Sequence, residues 1–286
     1  MRAAAVQLSS TEDKDRNLAA ADRLTREAAA DGADLIVLPE KFNVLGTHED
    51  YLRGAETLEG PTISWAREVS QELGIDLVAG SIAERREGRE KLSNTSVHVG
   101  PSGELKAVYR KIHMFDVEVG GKVYRESESE EPGGEIVLSE TVGGLPLGLT
   151  VCYDLRFPEL FRILAVQGAR IVSLPAAFTK VTGQAHWEIL IRARAIENQA
   201  FMVAADQIGT HPPDKESFGG SLIVDPWGEV LARAPDASSD SAEPTFIAAE
   251  LDLARQDEVR SKLPSLANRV AGAYRWPLAV PEEAPV

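Results

Sequence analysis

The sequence predicts an α/β protein built as one domain. Three observations carry this. Short apolar runs alternate with segments of helical period, as βαβ units require. The 286 residues are 43% hydrophobic, enough for a large core. No Pro/Gly/Ser-rich linker divides the chain, so one domain over 1–286 is expected, with a polar C-terminal tail from about 265.

Taken in order, residues 3–8 read as a strand and 13–30 as a helix with Leu18, Ala21, Leu24 and Ala28 on one face, stopped at Asp31-Gly32. A short buried strand over 33–38 then delivers the carboxylate of Glu40 at its end. The helix 62–73 stops at Gly74 and the strand 75–82 follows. The middle of the chain reads as antiparallel. Residues 95–99 turn through Pro101-Ser102-Gly103 into 104–111, and 135–139 pair with 147–152 around Gly143-Gly144. Between them the acidic stretch 122–135 reads as a solvated loop, of the kind that borders active sites. A helix over 158–167, a strand over 170–175, a helix over 184–199 and a strand over 201–205 restore the alternation. Residues 220–225 turn at Pro226-Trp227-Gly228 into 229–233, and 246–251 form the last strand. Two strand-rich halves with two helices each fit two sheets packed face to face between outer helix layers. The pattern fits one doubly wound sheet equally well.

Composition narrows the function classes. A single cysteine excludes an internal disulfide, and no Cys/His cluster has zinc-like spacing. The apolar start of the chain is too short for a signal peptide or a membrane span, so a cytoplasmic protein is expected. A formal net charge of -15 disfavours a nucleic-acid or anionic-membrane surface. No Gly-x-Gly-x-x-Gly follows the first strand, which argues against a nucleotide-binding module.

The lone Cys152 ends an apolar strand in Gly-Leu-Thr-Val-Cys-Tyr-Asp-Leu-Arg-Phe-Pro-Glu-Leu, where a polar turn leads into a helix. Such a turn exposes a side chain at the sheet edge and aims free backbone N–H groups at it, which suits a nucleophile. The competing reading is a buried packing thiol. Glu40, after Leu38-Pro39, and Lys111, in Tyr109-Arg110-Lys111-Ile112-His113, stand at two further strand ends. In α/β sheets such ends gather where sites are built.

These three motifs, Leu-Pro-Glu40, Tyr-Arg-Lys111-Ile-His and Val-Cys152-Tyr-Asp-Leu-Arg-Phe-Pro-Glu, resemble in identity and order the Glu, Lys and Cys motifs of the nitrilase superfamily of carbon-nitrogen hydrolases. The resemblance covers almost the whole chain and implies a four-layer α-β-β-α sandwich. It implies Cys152 as nucleophile, Glu40 as general base and acid, and Lys111 as stabiliser of the developing oxyanion, with no metal or organic cofactor. A second glutamate that supports the lysine matches Glu126 in Tyr124-Arg125-Glu126-Ser127; a solvated loop charge is the alternative there. The segments Phe115-Asp116-Val117-Glu118, Leu174 to Glu188, Leu190 to Gln199 and Val224 to Gly228 are similar to the branch containing the deaminated glutathione amidases. The branch implies hydrolysis of a terminal linear amide in a small anionic 2-oxo acid or peptide-like molecule, giving carboxylate and ammonia through a cysteine thioester. An omega-amidase on 2-oxo acid amides and an N-carbamoyl amino acid hydrolase would use the same three residues, and a catalytically silent binding or assembly protein would keep the fold.

An anionic substrate needs local partners in so acidic a chain. Arg156 on the nucleophile turn, and Thr182 and Lys180 in the loop after the next strand, are placed for this; Tyr153 and Phe178 complete the substrate-binding candidates. Arg156 serves equally as an ion-pair partner of Asp154 or Glu159. His186 and Trp187 read as capping and packing residues, and of Arg192 and Arg194 at most one faces inward. Gly220 stands where many relatives carry a bulkier or polar residue, which would alter specificity if it lined the pocket. The resemblance also implies a homodimer or larger homo-oligomer formed through outer helices.

Overall fold

The computed structural model describes residues 1–239 and 243–274. From its N-terminus the chain runs β1 (Arg2–Gln7), α1 (Lys14–Ala30), β2 (Leu35–Val37), α2 (His48–Gly54), α3 (Pro61–Leu73), β3 (Asp76–Val78), β4 (Ile82–Glu84), β5 (Ser93–Val99), β6 (Leu105–Arg110), β7 (Asp116–Val119) and β8 (Lys122–Arg125). Local chemistry sets these boundaries. Asp13 caps α1 by accepting from the Arg16 N–H at 3.1 Å, Thr47 and Asp50 form a capping box on α2, and Gly74 closes α3 at φ 68°.

The second half continues with β9 (Leu138–Glu140), β10 (Pro146–Leu149), α4 (Pro158–Val166), β11 (Ile171–Ala176), α5 (Lys180–Asn198), β12 (Phe201–Asp206), β13 (Ile208–His211), β14 (Lys215–Phe218), β15 (Leu222–Val224), β16 (Val230–Arg233), β17 (Thr245–Glu250) and α6 (Leu253–Lys262). One sheet has the order β17-β1-β2-β3-β5-β4, with β6 paired to β5, and the other has the order β16-β15-β12-β11-β10-β9. Strands β1, β2 and β3 run parallel, as do β10, β11 and β12. The chain's last strand returns to its first, with Ala5 opposite Ile247 in antiparallel register.

Side-chain alternation decides between the two readings left open by pattern. Ala3, Ala5, Leu35 and Val37 share a core with Leu147, Leu149, Met202 and Ala204 of the second sheet, whereas Ala4, Val6, Ile36 and Leu38 pack with Leu24 and Ala28 of α1 and Ile63 and Val69 of α3. Both faces of the first sheet are thus buried, one against the other sheet and one against helices. Helices α4 and α5 cover the second sheet through Leu160, Phe161, Leu164, Trp187 and Ile191. The result is the α-β-β-α sandwich, with each fully buried Leu or Ile contributing about 1.5–3 kcal/mol.

Several expectations are corrected. The strand over 75–82 is two strands broken at Gly80, whose φ is 43° and whose missing Cβ would stand 2.0 Å from the Pro39 carbonyl oxygen. The acidic stretch 122–135 begins with β8, which pairs with β7 so that Val117 faces Tyr124, and continues into a short turn at Glu126–Glu128. Helix α5 begins at Lys180 rather than 184. Gly183 lies inside it as the point of contact with Phe218, whose Cβ would be 2.2 Å from an added Cβ. Elements α2, α6 and the hairpin β13–β14 had no counterpart in the reading of the sequence. The expected tail lies partly at 275–286, outside the described residues; its part at 265–274 is largely exposed. Among the described residues no helix is long and apolar enough to cross a membrane.

Candidate active site

Glu40 lies just beyond β2, Lys111 just beyond β6 and Cys152 just beyond β10, so both sheets contribute. Proline at 39 ends strand pairing immediately before the glutamate. The seam between the sheets is stitched at this point. The Glu40 N–H donates to the Ala176 carbonyl at 3.3 Å, the Ala177 N–H donates to Glu40 Oε2 at 2.9 Å, and Gln207 Nε2 donates to the Glu40 carbonyl at 3.0 Å.

Lys111, 2% exposed, donates from Nζ to Glu40 Oε1 at 3.1 Å and to both oxygens of Glu126 at 2.9 and 2.8 Å. Burial alone favours its neutral form, but Glu126, then Glu40 and the Cys152 group, outweigh burial and hold Lys111 well above the ordinary lysine range. Glu126 experiences the reverse. Burial pushes it up, yet Lys111 and Lys41, helped by the Phe115 N–H at 2.7 Å, hold it at about 2. Asn94 Nδ2 bridges the two glutamates, donating to Glu40 at 2.7 Å and to Glu126 at 3.2 Å.

Cys152 adopts a left-handed backbone, φ 48°, which costs a non-glycine residue about 1–2 kcal/mol. The surrounding turn offsets this. Buried Asp154 accepts from the Val151 N–H at 2.8 Å, from the Tyr109 hydroxyl at 2.6 Å and from His113 Nδ1 at 2.7 Å. Arg194 donates to the Leu155 carbonyl from Nε at 3.1 Å and Nη2 at 2.8 Å. Among the described residues, the N–H of Tyr153, in the first turn after the thiol, has no hydrogen-bond partner. Burial, then the Glu40 carboxylate, pushes the Cys152 thiol well above its ordinary range, while Lys111 acts in the opposite sense. Such a thiol is protonated at rest and needs a base during attack, and Glu40 is the carboxylate that lines the same cavity and acts most strongly on it. A cavity of about 240 Å³ opens onto Glu40, Lys111, Glu126 and Cys152.

The chain matches the carbon-nitrogen hydrolase family over residues 2–261. It belongs to that family. The resemblance carried by the Glu, Lys and Cys motifs is thereby borne out, and the chain is a hydrolase of carbon-nitrogen bonds. It is 43% identical over 241 residues to the deaminated glutathione amidase of Yersinia enterocolitica, covering 82% of this chain and 83% of that one. It is 39% identical over 277 residues to the omega-amidase NIT2 of Mus musculus, covering 96% of each. Its fold superimposes on Nit3 of Saccharomyces cerevisiae, a member of branch 10 of the nitrilase superfamily, with TM-score 0.82, 31% identity, and coverage of 92% and 94%.

The four expected catalytic residues of this hydrolase converge on one cavity; the four expected substrate-binding residues do not line it. Arg156 lies over the ring of Phe178 at 5.1 Å and that of Tyr153 at 6.0 Å, meets His186 Nδ1 at 3.3 Å, and pairs with neither Asp154 nor Glu159. Phe178 is core, 5.0 Å from the ring of Trp187. Thr182 sits in the first turn of α5, not in a loop, bonded to Thr179 Oγ1 at 2.7 Å. Gly220 lies away from the cavity wall. Its carbonyl accepts from Trp187 Nε1 at 2.9 Å, and its φ of 66° accounts for the glycine. Arg194 points inward and Arg192 outward, as the helix period requires.

The cavity is completed by residues that the sequence reading missed, among them Lys41, Tyr51, Glu130 and Lys215, while Asn94, also missed, holds Glu40 without lining the cavity. The polar run Ser93-Asn94-Thr95-Ser96 inside a strand buried throughout was the available signal for Asn94. Lys41 pairs with Glu130 and stands over the Tyr51 ring at 4.0 Å; burial would lower it, but Glu130 holds it up at about 12.

Proposed function

We propose that the protein hydrolyses an amide of a small anionic 2-oxo acid or peptide-like substrate of the deaminated glutathione type. The observation that carries this is the contact of Lys111 with Glu40 and Glu126 in one cavity with Cys152. Glu40 takes the thiol proton as Cys152 Sγ attacks the amide carbon. The carbonyl oxygen gains the negative charge, which Lys111 and the unpartnered backbone N–H of Tyr153 would receive; one such donor is typically worth about 2.7–4 kcal/mol. Collapse breaks the carbon–nitrogen bond, and the proton held by Glu40 passes to the leaving nitrogen. Water, deprotonated by Glu40, then adds to the thioester, and the carbon–sulfur bond breaks to return the thiol.

The relatives' names support two substrates, deaminated glutathione and the omega-amides of 2-oxo acids. Their chemistry separates them. A 2-oxo acid with a terminal carboxamide releases ammonia, whereas deaminated glutathione, a tripeptide derivative without a carboxamide, releases an amine. The test is mass-spectrometric product analysis on deaminated glutathione, 2-oxoglutaramate, a set of N-carbamoyl amino acids and a simple nitrile, beside Cys152→Ala. Turnover of deaminated glutathione foremost, lost in the variant, supports the proposal; preference for another amide reassigns the substrate. Silence on all four with a Cys152 unreactive to iodoacetamide would establish the binding-protein reading.

The same reading carries a cytoplasmic location and assembly into at least a homodimer. Exposed Ile163, Val166, Ile189 and Ile196 on the outer helices support the assembly. A single monomer species in sedimentation at micromolar concentration would overturn it.

A further inference from the structure

The cavity wall carries several buried charges, and nearly all are matched. Lys111 is shared by Glu40 and Glu126, and Lys41 is paired with Glu130. Lys215, on β14, is the exception: among the described residues no carboxylate lies within 4.0 Å of its ammonium, although it lines the same cavity and is half-buried. Its Nζ makes one hydrogen bond, to the Gly46 carbonyl at 3.2 Å, and stands 5.6 Å from the centre of the Tyr51 ring. An ammonium has three donors, so two remain unfilled. Burial, then repulsion from Lys41, holds Lys215 below the ordinary lysine range, a penalty that an arriving anion would relieve. Arg125 lines the same cavity, and among the described residues its exposed guanidinium bonds only the neighbouring Tyr124 carbonyl at 3.1 Å. The cations expected from sequence are committed elsewhere. Lys180 pairs with Glu216 on the surface, and Arg156 stacks on Phe178 outside the cavity.

We propose that Lys215, with Arg125 at the mouth, binds a carboxylate of the substrate while its amide lies against Cys152. This rests on the reading of the site as an amidase for anionic substrates and names the residues that would select the anion. The hairpin β13–β14 that carries Lys215 is held against α5 where Gly183 meets Phe218, so the ammonium is presented from a fixed element rather than a loose loop.

The experiment is protection of Cys152 from iodoacetamide by glutarate, a dicarboxylate with the shape of the hydrolysed product, and by neutral pentanamide. It is run on the wild-type chain, Lys215→Met and Lys215→Arg. The half-protecting glutarate concentration is expected to rise about tenfold or more in Lys215→Met, corresponding to about 1.4 kcal/mol, and to return to within about threefold of wild type in Lys215→Arg. Pentanamide protection should not change. A glutarate value unchanged in Lys215→Met, or loss of protection by both compounds together, would overturn the assignment while leaving the anionic-substrate reading in place. Glutarate protecting wild type no better than pentanamide would overturn both.

Discussion

The Tyr109 hydroxyl donates a 2.6 Å hydrogen bond to Asp154 Oδ2, joining the strand that leads to Lys111 to the turn that carries Cys152. Both residues are fully buried. Two sequence motifs separated by forty-odd positions are thus held in one geometry by a charge-assisted contact. Tyr109→Phe removes that contact and leaves Asp154 its bonds to Val151 and His113. The variant should lose about 1.5–3 kcal/mol of unfolding free energy, read as a lower urea midpoint at unchanged slope. An unaltered midpoint would show that the bond is not a structural tie.

Glu40→Gln keeps the shape of the side chain but removes the base next to a thiol that is protonated at rest. Turnover should fall by about 10²–10⁴, and alkylation of Cys152 should slow. Stopped assays with amide substrate and timed iodoacetamide labelling measure the two effects separately. Labelling that stays fast would mean that another group activates the thiol.

Glu126 supplies an acid-sensitive part of the stability. Its folded value of about 2 lies below the ordinary 4.5, so its contribution is present above about 4.5 and is lost as pH falls through 2. Denaturation of wild type and Glu126→Gln at pH 7, 4 and 2 should therefore show a stability gap that is widest at neutral pH and closes towards pH 2. A gap independent of pH would assign Glu126 a packing role only.

Gly80 supports Glu40 from behind. Ala at this position meets both the left-handed backbone, φ 43°, and the Pro39 carbonyl oxygen 2.0 Å away. Gly80→Ala should cost about 2–4 kcal/mol and reduce turnover, because the Pro39–Glu40 segment must shift. Melting temperature and kcat at a temperature where the variant stays folded check the two parts.

The site was partly legible in the chain. Glu40, Lys111 and Cys152 were singled out because each stands at a strand end within a distinctive motif, and Glu126 because its place after the lysine is recognisable; the structure brings the four together. Asn94, Lys41 and Lys215 were not, because a polar residue inside a strand, a second charge beside a motif and a lysine in a hairpin have no local signature. The substrate-binding candidates are absent from the lining of this cavity. Thr182 was chosen as part of a loop after the strand that follows Cys152, with Phe178 just before it, but Phe178 packs in the core and Thr182 lies in the first turn of α5.

By itself the sequence determined the alternating elements, most of their order and the chemistry of three strand ends, because period, capping and turn residues act over a few positions and are written locally. Tertiary structure alone decided that the strands form two facing sheets, that the last strand rejoins the first, and which charges share the cavity. These outcomes depend on contacts between residues far apart in the chain, such as Ala177 with Glu40 and Gly46 with Lys215, whose energies arise only once the sheets have packed.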